Sequence, residues 1–129
     1  MTSRRRRVVL IIDDDPSIRE VATLALSAVG GHDTYAAGDG AEGVELACRV
    51  RPDAILLDVM LPSMDGPAVL AHLREIDVLR DIPVAFLTAK VGTRDISRLD
   101  GLGAAAVITK PFDPLGLADQ LAGALGWTR

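Results

Sequence analysis

Residues 54–66 read AILLDVMLPSMDG. Four consecutive apolar residues, Ala54-Ile55-Leu56-Leu57, show no polar alternation, which predicts a strand buried on both faces. The run stops on an acid, Asp58. A loop from Val59 to Gly66 then leads into a helix expected to start near Pro67. A buried strand that ends in a reactive side chain and feeds a helix is one βα unit, and the rest of the chain repeats it.

Upstream, Val8-Val9-Leu10-Ile11-Ile12 predicts a buried strand ending at Asp13 and Asp14. Asp15 has the character of an N-cap and Pro16 of a first helical residue. The helix they open should run to about Val29, with Ile18, Val21, Ala22, Ala25 and Val29 as its apolar stripe and Gly30-Gly31 as its stop. A weaker strand is expected near Thr34–Ala37. Asp39 and Glu42 have capping-box spacing for a second helix that ends before Pro52. Downstream, Val84–Leu87 predicts a strand ending at Thr88, and a fourth helix should span about Thr93 to Gly103. Ala106–Ile108 predicts a fifth strand ending at Lys110-Pro111. Asp113 is read as the cap of the last helix, with Pro114 in its first turn and Leu117, Leu121 and Leu125 as its packing stripe. Five strands alternating with five helices predict an α/β fold. It is a single doubly wound (βα)5 domain with a parallel sheet and helices on both faces. The domain should span residues 8–126, after a basic tail over 1–7 and without an output domain.

Composition narrows the function classes. The 129 residues are 49% hydrophobic and 25% charged, the balance of a water-soluble domain. The apolar runs are too short to cross a bilayer, and no signal-peptide pattern follows the opening arginines. One cysteine, Cys48, allows no internal disulfide, which fits a reducing, cytoplasmic setting. A net charge of −4 argues against direct nucleic-acid binding, and Arg4–Arg7 is read as a solvated terminal tail. The few aromatics, Tyr35, Phe86, Phe112 and Trp127, offer no stacking platform for single strands.

In open parallel sheets ligands bind outside the carboxyl ends of the strands. Here those ends carry Asp13 and Asp14, then Asp58, Thr88 and Lys110. Taken singly, each has an ordinary explanation as a turn former, a cap or a surface charge. Together they bring three carboxylates, a hydroxyl and an ammonium to one edge. Crowded carboxylates repel unless a cation intervenes, and an all-oxygen set suits Mg²⁺. Such a site suits phosphoryl transfer to Asp58, with the lysine and the metal neutralising charge and Thr88 donating a hydrogen bond. Only two of the fourteen basic residues, Lys90 and Lys110, are lysines, so a lysine at a strand end is informative.

These segments resemble the receiver domains of two-component response regulators (CheY-like). VVLIIDDDPSIR, residues 8–19, resembles the family's opening strand and acidic pair, with Asp13 and Asp14 as the pair. AILLDVMLPSMDG resembles the phosphoacceptor strand and loop. Phe86-Leu87-Thr88-Ala89 resembles the switch threonine, and Ile108-Thr109-Lys110-Pro111-Phe112 the lysine motif with its cis proline. The resemblance implies a flavodoxin-like sheet of order 2-1-3-4-5 and a phosphoacceptor at Asp58. It implies Mg²⁺ held by Asp13, Asp14, Asp58 and the Met60 carbonyl. It also implies a phosphohistidine donor on a sensor kinase or phosphotransfer protein, and an output surface over the fourth helix, fifth strand and fifth helix. The chain would be a phosphoacceptor, not an enzyme with a separate substrate, and a monomer or weak dimer with an unspecified protein target.

The sequence departs from the family at Val107, where many members carry a mobile Tyr or Phe, and at Ala105 and Ala106, where the DNA-binding branch often has acids. Met60 and Lys90 occupy positions that tune dephosphorylation in the family. Two other readings compete. A receiver-like adaptor that works without phosphate is suggested by Val107. An aspartate-nucleophile phosphatase of the haloacid dehalogenase type would use Asp13 and Asp15, but Ser17 breaks its pattern. A histidine phosphotransfer role for His72 would need a helical bundle.

Overall fold

The computed structural model describes residues 6–89 and 92–127. Lys90, Arg4 and Arg5 therefore lie outside the described residues. Among the described residues there are five parallel strands: β1 (Val8–Ile12), β2 (Asp33–Ala37), β3 (Ala54–Asp58), β4 (Val84–Thr88) and β5 (Ala106–Thr109). Their order is β2-β1-β3-β4-β5, the order that the family resemblance implies for the doubly wound sheet expected from the alternation of elements. The helices are α1 (Pro16–Leu24), α2 (Gly40–Val50), α3 (Gly66–Arg74), α4 (Thr93–Asp100) and α5 (Leu117–Leu125).

Strand pleating divides the core in two. Leu10, Ile12, Ile55, Leu57, Val84 and Phe86 face α2, α3 and α4. Val9, Ile11, Leu56, Ala85, Leu87 and Ile108 face α1 and α5. Every residue of β3 and β4 is buried, so the central strands have no solvent face. That is why their sequences lack alternation. Edge strand β2 is mostly exposed, which accounts for its weak signal.

Several local expectations are corrected. The first helix does run to Val29, but Ala25–Val29 form a π-helical turn. The wider turn breaks the 3.6-residue period, so Val29 is 45% exposed and Leu26 takes the buried place instead. Val21, at the margin of the stripe, is also exposed. Asp39 caps α2 through Glu42 N–H, but the Glu42 carboxylate accepts from Gly38 N–H, one residue before the reciprocal capping-box position. Asp65, unread in the sequence, caps α3 by accepting from Ala68 N–H. Asp113 closes a turn by accepting from the Leu115 and Gly116 amides, and α5 begins only at Leu117. The end of the basic cluster is no solvated tail. Arg6 pairs with Asp33 at 2.9 Å, and the Arg7 guanidinium lies 4.7 Å over the Trp127 ring.

One contact fixes the loop after β3. Gly66 opens α3 against the end of that strand, with its N–H donating to the Val59 carbonyl at 2.9 Å. A Cβ there would sit 2.6 Å from the Asp58 carbonyl oxygen and 2.9 Å from Val59 Cα. Both are backbone atoms with little freedom to yield. We expect Gly66→Ala to cost about 2 kcal/mol of stability through this overpacking. Chemical denaturation that finds less than about 0.5 kcal/mol would show that the loop relaxes instead.

Candidate functional site

The carboxyl end of the sheet gathers the reactive side chains. β1 delivers Asp13 and Asp14, β3 delivers Asp58, β4 delivers Thr88, and the residue after β5 is Lys110. Asp13, Asp58 and Thr88 are buried, whereas Asp14 is exposed at the mouth. Each of the three aspartates offers a carboxylate oxygen, and these oxygens lie within 4.8 Å of one another. The Lys110 ammonium reaches between two of them, 2.9 Å from Asp13 Oδ2 and 3.2 Å from Asp58 Oδ1. Its reach is set by β5, because Lys110 N–H donates to the Thr88 carbonyl at 2.8 Å, and the Lys110–Pro111 peptide is cis.

Backbone groups hold the acids in place. Asp13 N–H donates to the Ala37 carbonyl, and Asp13 Oδ1 accepts from Asp15 N–H at 2.9 Å. Met60 N–H donates to Asp58 Oδ1 at 3.2 Å, which turns the loop back over the Asp58 carboxylate. Asp13 Oδ2 is buried and has the ammonium as an ion-pair partner, but no donor in hydrogen-bond alignment. Asp15 belongs to the helix rather than the site. Its Oδ1 accepts from Ser17 and Ile18 N–H, which leaves the Asp13/Asp15 pair of the phosphatase reading without a second acid. His72 sits in the last turn of α3 of an α/β domain, not in a helical bundle. Val107 pairs with Phe86 across the sheet and packs, partly buried, against the α2–α4 core.

The electrostatics follow from this packing. Burial, and then the charge of Asp13, raise the Asp58 pKa above its ordinary 3.8. The charge of Lys110 and the Met60 amide pull the other way without cancelling the rise. For Lys110, burial lowers the pKa, but its close pairing with Asp13 and the charges of Asp13 and Asp58 outweigh it and leave the ammonium favoured. One ammonium thus stands against three carboxylates. A buried oxygen without an aligned donor beside two further carboxylates fits a hard divalent cation such as Mg²⁺, which takes oxygen ligands and retains waters.

A family model described as the response regulator receiver domain matches residues 9–122. The chain belongs to the response-regulator receiver family. It is similar to the DNA-binding dual master transcriptional regulator RpaA of Synechocystis sp., at 43% identity over 81% of this chain and 43% of that protein. It also resembles the DNA-binding response regulator MtrA of Mycolicibacterium smegmatis, at 38% identity over 94% of this chain and 51% of that one. The chain thus spans about half the length of the curated relatives it matches. Among solved structures, Vibrio cholerae chemotaxis response regulator CheY4 superposes with a TM-score of 0.86 at 28% identity, covering 93% of this chain and 99% of that one. The receiver domain of the Pseudomonas aeruginosa sensor histidine kinase PA1611, described with a magnesium ion in its active-site cleft, gives 0.82 at 29% identity, with 95% and 99% covered. Receiver domains of this family bind Mg²⁺ at an acidic pocket, and Asp13, Asp14 and Asp58 form such a cluster here.

The structure brings Asp13, Asp14 and Asp58 together as the sequence placed them, but the sequence reading did not single out Arg19, whose Nη1 donates to the Asp13 carbonyl at 2.8 Å. The available signal was a cation one helical turn beyond the acidic turn. The raised Asp58 pKa has a consequence for stability. The folded state holds that proton more tightly than the unfolded chain, so metal-free stability falls as pH rises from about 3.8 through the folded pKa. Asp58→Asn removes the penalty. We expect its metal-free Tm at pH 7.5 to exceed that of the unmodified chain by about 3 °C. The gap should shrink as pH approaches 3.8. An unchanged or lower Tm at pH 7.5 contradicts this balance.

Proposed function

We propose that this receiver is a phosphorylation switch in which Asp58 accepts a phosphoryl group from a phosphohistidine. The single observation that carries the reading is the Lys110 ammonium bridging Asp13 and Asp58 beside a third carboxylate. An Asp58 carboxylate oxygen attacks phosphorus, the bond from phosphorus to the donor imidazole nitrogen breaks, and that nitrogen keeps the electron pair. The product is an acyl phosphate on Asp58. Asp13, Asp14, Asp58 and the Met60 carbonyl would hold Mg²⁺, which supplies charge neutralisation on the transferring oxygens. Lys110 exchanges its contact with the Asp58 carboxylate for one with a phosphoryl oxygen. Thr88, buried at the end of β4, donates its hydroxyl to the same group and carries the change into the loop behind it. Asp58 is positioned to accept, and the chain turns over no separate substrate.

The donor is a sensor histidine kinase or a phosphotransfer protein, and the output is a protein contact made in the cytoplasm. Among the described residues no helix is long and apolar enough to cross a membrane. The named relatives bind DNA, whereas the matched region is the receiver alone, so direct nucleic-acid contact is not assigned to it. Val107 favours a second reading, an adaptor that works without phosphate. Its branched side chain is packed against the core and cannot swing as an aromatic ring does.

Incubation with acetyl phosphate and Mg²⁺ separates the two. Intact mass should rise by one phosphoryl group, about 80 Da, only when Mg²⁺ is present and not in Asp58→Asn. Stoichiometric labelling of Asp58→Asn would sink the assignment. No labelling, together with no response to beryllofluoride, would favour the adaptor. Val107→Tyr should alter partner affinity more than the phosphorylation rate. An equal loss of both would mean that position 107 serves packing alone.

A further inference from the structure

Arg19 lies outside the roles assigned above, yet three elements converge on it. It projects from α1, its Nη1 donates to the Asp13 backbone carbonyl at 2.8 Å, and its guanidinium lies over Gly38 at the end of β2. Gly38 does not have the left-handed backbone that would demand glycine. What it provides is room: a Cβ there would sit 3.2 Å from Arg19 Nη1 and 3.7 Å from Cζ. Gly38 is held in turn by donating its N–H to Glu42 Oε1. The carbonyl that Arg19 grips belongs to the peptide joining Asp13 to Asp14. Its orientation sets the direction in which the exposed Asp14 carboxylate leaves the chain. Asp13 is fixed by other bonds, from its amide to Ala37 and from Asp15 N–H to its carboxylate. The Asp15 N–H bond to the Asp13 carboxylate loops around the Asp13–Asp14 peptide, and the Arg19 bond is the one that holds its carbonyl directly among the described residues.

We propose that Arg19, seated on Gly38, is a positioning residue that holds the Asp13–Asp14 peptide so that both carboxylates converge on one divalent cation. The inference rests on the metal-binding reading of the site. Two effects of the guanidinium compete. Its positive charge near the acids opposes cation binding, whereas its hydrogen bond preorganises them. Arg19 is only partly buried, so water screens its charge, while the hydrogen bond is short and direct. Preorganisation therefore dominates.

The test is Mn²⁺ binding to the metal-free chain, read from loss of the free-ion paramagnetic resonance signal, with thermal unfolding alongside. Arg19→Ala should weaken Mn²⁺ binding about tenfold, the order expected for one hydrogen bond from a charged donor. Arg19→Lys keeps a donor for a contact made by a single nitrogen and should stay within about threefold of the unmodified chain. Gly38→Ala should weaken binding by displacing the guanidinium, and that effect should vanish in the Arg19→Ala background. Unchanged or tighter binding in Arg19→Ala would overturn the proposal, as would a Gly38→Ala effect that persists without Arg19. A fall in Tm with unchanged affinity would make Arg19 a purely structural residue and overturn it equally. If the unmodified chain takes up no Mn²⁺, the metal reading fails and the proposal falls with it.

Discussion

The Lys110 ammonium between Asp13 and Asp58 is the interaction on which the site depends. Its side chain is only 17% exposed and those of its partners are 0% and 6% exposed, so the charges meet where water screens them little. The Arg6–Asp33 pair makes a contrast, at 70% and 48% exposed, and pairs of that kind contribute little to stability. Burying charged groups is unfavourable unless each finds a partner, and here one cation must serve an excess of acids. The carboxylates are therefore only partly neutralised by Lys110, which leaves negative charge uncompensated at the sheet edge.

The sheet makes that gathering of charge possible. Parallel strands begin at one edge and end at the other, so side chains far apart in sequence meet without any long loop. β1, β3, β4 and β5 are adjacent or nearly so, and each contributes one part of the site at its carboxyl end. The residues of β1, β3 and β4 are almost wholly buried, which holds those ends in register, while β5 is partly buried and buries Ile108. Glycine enters where packing leaves no space, as at Gly66 against the Asp58 carbonyl.

Much of this was legible beforehand, for a physical reason. Strands buried on both faces carry uninterrupted apolar runs, so Ala54–Leu57 and Val84–Leu87 announce themselves, and the first polar residue after each run marks the reactive edge. Asp13, Asp58 and Thr88 are the first polar residues after such runs, whereas Lys110 follows Thr109, the last residue of β5. What escaped was tertiary. The π turn at Ala25–Val29 moves Val29 off the buried stripe, and no local pattern signals it. Asp113 has the composition of a helix cap but closes a turn four residues before the helix begins at Leu117. Arg7 belongs to a terminal charge run, yet it stacks on Trp127 at the far end of the chain. Arg19 and Gly38 explain each other only once β2 and α1 are seen side by side.

Burial and the charge of Asp13 raise the Asp58 pKa, while Lys110 restrains the rise. Carboxyl carbon-13 resonance of Asp58, followed through a pH titration, measures this directly. The metal-free chain should titrate Asp58 above 3.8, Lys110→Met should move it higher still, and Mg²⁺ should bring it down. An Asp58 that titrates at its ordinary value and ignores both the lysine and Mg²⁺ would contradict the account.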